Sequence, residues 1–126
     1  FDLTDALARR DQQRALALLH ELLADGAAPL AIVGLTANQT RSLIQVKALS
    51  ERGMRAQQIA ETVGMAPFLA QKALTLAGRF TFAQLEAAHR ALLGVDVTLK
   101  STAMPPNLLL DILTLRFGEP DADPRL

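Results

Sequence analysis

At 126 residues, half of them apolar, the chain is the size of one domain and long enough to bury a single substantial core. Thirteen lysines and arginines balance thirteen aspartates and glutamates, and a neutral domain has no long-range pull toward a phosphate backbone, which argues against a dedicated DNA binder. With no cysteine, disulfides and thiolate metal sites are excluded, and no apolar run approaches the roughly 18 residues of a membrane helix.

Ala and Leu dominate the apolar residues and aromatics are few, which favours packed helices over sheets. The start, Phe1-Asp2-Leu3-Thr4, is neither an initiator methionine nor a signal peptide, as expected of a piece of a longer protein or a processed chain. The lack of cysteine fits a reducing, cytoplasmic setting.

The spacing predicts a short first helix from Phe1 to Arg10, capped by Asp2. A second, capped by Asp11, runs through QQRALALLHELLA to Gly26, with Ala15, Leu19 and Leu22 on its core face. The stretch from Pro29 to Arg52 reads as one helix of about 24 residues, the longest in the chain, opened by a proline and stopped by Gly53. Leu30, Val33, Ala37, Arg41, Ile44 and Ala48 share one stripe of it, and Ile32, Leu35, Leu43, Val46 and Leu49 lie close beside. Its middle is a polar turn, Asn38 to Ser42, of which at least one residue must face inward, and Arg41 is the one on the stripe.

Two shorter helices follow, from Ala56 to Val63 with Gly64 closing it, and from Pro67 to Arg79 with Leu69, Ala73, Leu76 and Phe80 inward. Thr81 and Gln84 have capping-box spacing and open a helix carrying Leu85, Ala88, Leu92, Val95 and Leu99. Pro105 begins a last helix through Phe117, closed by Gly118, and residues 119–126 are a charged, proline-broken tail expected to fray. The expected fold is an all-α bundle of six or seven helices over residues 1–118. Gly34, Gly78 and Gly94 fall inside predicted helices, where each reflects neutral tolerance, a close helix contact or a kink.

No catalytic constellation emerges. His20 and His89 lie on different helices, without HExxH spacing, and are expected to face solvent. No serine sits in a GxSxG turn, and the seven glycines never cluster into a phosphate loop. No cofactor or metal is therefore expected, and no enzymatic activity for this segment. Ala60, Gly64 and Ala70 have helix-turn-helix offsets of four and six, so a nucleic-acid-binding domain centred on residues 56–79 is an alternative reading. The helix that would read bases begins Pro67-Phe68-Leu69-Ala70, apolar where polar residues are wanted, so a packing corner is the stronger account.

Asp96 and Lys100 are one turn apart with the acid first, which suits an i,i+4 ion pair. Asp111 interrupts an apolar run, sharing a stripe with Asn107 and Thr114. A guanidinium on an apolar stripe must reach a carboxylate, a carbonyl or water, so Arg41 either snorkels to the surface or pairs with Asp96, Asp111 or a neighbouring subunit.

The succession Phe1 to Ala6, Ala15 to Gly26, Ala37 to Arg41, Ile59-Ala60 to Gly64, and Leu93-Gly94-Val95-Asp96-Val97-Thr98-Leu99-Lys100 resembles the C-terminal domain of the delta subunit of bacterial DNA polymerase III, the clamp loader. The resemblance spans about residues 1–117 and departs from the family pattern at Thr40, where an aromatic or large apolar residue is expected, and at Arg55, where a small hydroxyl residue is usual. It implies a collar-type helical domain that docks its subunit among the other clamp-loader subunits. It also implies that nucleotide hydrolysis lies elsewhere and that the sliding clamp is gripped through a missing N-terminal part; zero net charge and the lack of a long apolar span give no expectation of DNA or membrane contact by this segment. Such a helix must bury one face in its own bundle and offer another to a neighbour. The long and last helices have that apolar excess, and Arg116 and Phe117 are expected at the interface, since arginine and aromatics are enriched at hot spots. The alternative for Phe117 is completion of the core.

Overall fold

Proline and glycine punctuate this chain where its helices start and stop. The computed structural model describes residues 1–9, 11–101, 105, 107–108, 110–111 and 114. Every regular element among them is an α-helix: α1 (Asp2–Ala8), α2 (Gln12–Ala24), α3 (Pro29–Glu51), α4 (Ala56–Val63), α5 (Pro67–Ala77) and α6 (Phe82–Ser101), with further helical residues after Pro105. The all-helical bundle expected from composition is the observed architecture.

Local chemistry accounts for most boundaries. The Asp11 carboxylate accepts a hydrogen bond from the Arg14 amide at 3.1 Å and caps α2. Pro29 and Pro67 occupy first turns, where a missing N–H costs nothing. At the start of α6 the Gln84 amide donates to the Thr81 hydroxyl at 3.1 Å, and the Thr81 amide donates to the Gln84 side chain at 2.9 Å, closing the predicted box. Gly64 ends α4 at φ 77°, in the left-handed region where a side chain would be strained. Asp2 is a correction: α1 begins after Phe1 with no side-chain cap, and Asp2 sits inside the first turn, where its charge faces the positive end of the helix dipole. At α4 the Arg55 guanidinium, which carries no acceptor, leaves only the Arg55 amide donating to Gln58 at 3.2 Å.

The core is in two parts. The first joins Ala6 and Leu7 of α1, Ala15 and Leu19 of α2, Ile32, Val33 and Ala37 of α3, Leu92 and Val95 of α6, and Leu110. The second joins Leu43 and Val46 of α3, Ile59 of α4, Ala73, Leu76 and Ala77 of α5, and Leu85 of α6. The first half of α3 thus shares a core with the second half of α6, and the reverse holds for the other halves, so the two helices run antiparallel through both cores. At 23 residues α3 is about 35 Å long at 1.5 Å per residue, long enough to tie the lobes together. It packs along α6 and also touches α1, α4 and α5.

Candidate interaction face

Between the two cores lies the polar turn of α3, and here the structure corrects the expectation from periodicity. Thr40, 1% exposed, is the residue turned inward, and Arg41 is exposed. The buried set of α3 is Ile32, Val33, Thr36, Ala37, Thr40, Leu43 and Val46, a stripe rotated by about one residue from the one through Leu30 and Arg41. Both buried threonines satisfy their hydroxyls within the helix, Thr36 donating to the Ile32 carbonyl and Thr40 to the Thr36 carbonyl, each at 2.8 Å. A short polar residue where a large apolar or aromatic one is expected is therefore accommodated without an orphaned donor.

The sequence-predicted site residues do not converge. Asp96 pairs with Lys100 at 2.9 Å, as its spacing implies, and Asp111 accepts from His20 of α2 at 2.8 Å, so Arg41 pairs with neither. That contact ties Asp111 to α2, and Leu110 and Thr114 are buried. Arg116 and Phe117 lie outside the described residues.

His89, expected at the surface, is a second correction. It is half-buried on α6, and its Nε2 is sealed from solvent with no hydrogen-bond partner among the described residues. Burial of the ring, and after it the Arg41 guanidinium, hold the imidazole below the ordinary histidine value of 6.5. The signal in the sequence is its position, four residues after Leu85 and three before Leu92, on the inward side of the cleanest apolar repeat in the chain.

What the fold leaves uncovered is apolar. Leu22, Leu30, Leu35, Phe68, Leu93, Val97 and Leu108 are all exposed, Phe68 at 73% and Leu35 at 58%. Single exposed leucines are ordinary; grouped ones mark contact surfaces. Two groups form. Leu93 and Val97, one turn apart, stand together on the outer side of α6. Leu22 and Leu35 line a groove of about 300 Å³ between α1, the end of α2 and the first half of α3, whose walls include Phe1, Leu3 and Ala31 with Asp2 and Gln39 as polar members. Phe1 is held there by the bundle, with Lys72 Nζ of α5 5.9 Å from its ring centroid.

Among the described residues no group of three or more His, Asp or Glu could hold a metal ion, and no helix is long and apolar enough to cross a membrane. The family model for "DNA polymerase III delta subunit, C-terminal domain" matches residues 1–117. The chain is similar to DNA polymerase III subunit delta of Bacillus subtilis (strain 168), 28% identical over 117 residues, covering 93% of this chain and 34% of that protein. Its fold is similar to the solved DNA clamp loader delta protein of the same organism, with a TM-score of 0.87, 27% identity, and coverage of 93% of this chain and 34% of that one. The chain thus spans about a third of the length of the relatives it matches.

Proposed function

The chain belongs to the family of C-terminal domains from the delta subunit of DNA polymerase III, and we propose that it is the assembly domain of that protein, docking it among its fellow subunits in a clamp loader during replication. The observation that carries the reading is the grouped apolar surface at Leu22 and Leu35, next to a bundle whose two cores are already filled by other side chains. Exposed leucines around a groove cost nothing in folding when they stay wet, and gain roughly 25 cal/mol per Å² when a partner covers them. Residues 1–118 are the docking unit in this reading, and residues 119–126 a tail outside it. In this reading Arg41, Asp96, Lys100 and Asp111 are polar contributors to docking, where charge sets register more than affinity, and Arg116 and Phe117 are interface contributors. Catalysis, cofactors and the grip on the sliding clamp belong to other parts of the assembly, in a cytoplasmic setting.

The experiment is reconstitution. In the full-length protein, Leu22→Asp with Leu35→Asp should abolish co-elution with the remaining clamp-loader subunits while circular dichroism and the urea midpoint of the domain stay unchanged. Undiminished co-elution would remove the groove from the interface. Titration with duplex DNA at low salt tests the neutral surface, which should give no salt-sensitive binding.

A further inference from the structure

By register, the polar turn of α3 and His89 of α6 both fall between the residues of the two cores, the Arg41 charge acts on His89, and the assembly reading makes no use of that histidine. On α3, Thr40 and Arg41 separate Ala37 of the first core from Leu43 of the second; on α6, His89 separates Leu92 of the first from Leu85 of the second. Apolar side chains hold each lobe, but the seam between lobes passes through an imidazole whose buried Nε2 has no partner among the described residues.

We propose that His89 is an acid-sensitive pin between the two lobes, holding α6 against α3 when neutral and loosening that seam when protonated. A neutral imidazole carries one N–H and one bare nitrogen, and a sealed bare acceptor costs less than a sealed donor with nothing to accept it, so the hydrogen sits on Nδ1. The next proton has only Nε2 to go to, and there it creates a buried N–H carrying positive charge without an acceptor. From α3 the facing charge is Arg41, a cation, and α3's other cation in this half, Lys47, lies 5.4 Å from the Phe82 ring centroid. Among the described residues no carboxylate forms an ion pair with His89: Asp5 of α1 holds Arg9, Asp96 of α6 holds Lys100, Asp111 holds His20, and on α6 itself Glu86 and Arg90 are exposed. From α5, Lys72 is engaged with Phe1.

The sign follows from linkage. The folded imidazole titrates below 6.5, its ordinary value, so the unfolded chain binds the proton more readily. This contribution to stability is complete above 6.5 and is lost as the pH falls through that value toward the folded pKa.

Two measurements on the whole chain test the pin. Imidazole resonances followed by NMR across about pH 8 to about pH 4.5 should show His89 as an Nδ1–H tautomer titrating below 6.5. Urea midpoints over the same range should fall further for the wild type than for His89→Gln, and Arg41→Gln should shift the His89 titration upward. An Nε2–H tautomer, or a His89 titration at or above 6.5, overturns the proposal from the wild type alone, whether or not the variants fold. Equal acid loss in wild type and a folded His89→Gln overturns it as well. Docking plays no part in these readouts, so their outcome is independent of the assembly reading.

Discussion

Thr40 and Arg41 are neighbours in sequence with opposite environments, and the difference decides what each substitution does. Thr40→Asp buries a carboxylate among apolar side chains, and should cost about 3 kcal/mol or more in urea unfolding. Arg41→Met removes an exposed charge and should change stability at neutral pH by no more than about 0.5 kcal/mol. If Arg41→Met were the more damaging of the two, the observed register of α3 would be wrong. Sequence alone does not choose between them, for a physical reason. α3 meets α1, α4, α5 and α6, so it is apolar on several sides, and two adjacent stripes both look like a core face. Only the neighbours' positions, which periodicity does not contain, select the stripe through Val33 and Thr40. His89 is hard to read for a related reason: composition places histidines at surfaces, whereas its place between Leu85 and Leu92 on a strongly periodic helix puts it on the seam.

At the scale of the element, boundaries are legible wherever a backbone rule fixes them. Asp11, Pro29, Gly53, Gly64, Pro67 and the Thr81–Gln84 box each mark an end within a residue or two of the observed one, because each acts through its own backbone or its immediate neighbours. Interior glycines are ambiguous, since a glycine that permits close contact and one that is merely tolerated look identical in sequence. The structure separates them: a Cβ built on Gly34 of α3 or Gly94 of α6 meets nothing within 4 Å. Gly34→Ala and Gly94→Ala should therefore each stabilise the domain by about 0.5–1 kcal/mol in thermal or urea unfolding, by removing freedom from the unfolded chain. Gly64→Ala should do the opposite, by about 1 kcal/mol, because its φ of 77° strains any residue with a Cβ even though the space beside it is open. A destabilised Gly94→Ala would reveal a crowding on the outer side of α6 that the isolated domain does not have.

The molecule as a whole has two cores but is built to unfold as one. Neither lobe contains a complete set of helices: the first takes the start of α3 and the end of α6, the second takes the other halves, and Phe80 packs against both. Opening one lobe alone would require breaking two long helices in their middles, with the loss of intrahelical hydrogen bonds at both breaks. Ile59→Ala, which empties a fully buried position in the second core, should cost about 2–5 kcal/mol. At neutral pH that loss should appear equally in the hydrogen-exchange protection of amides in both lobes, including those of Leu19 and Leu92 in the first. Loss of protection confined to α4 and α5 would show that α3 and α6 do not couple the cores. The same measurement repeated in acid should let the lobes respond separately, since the polar crossing between them, at Thr40 and His89, is where protonation places an uncompensated charge. Cooperativity here rests on two rods crossing one seam, and so depends on the chemistry of that seam more than on the size of either core.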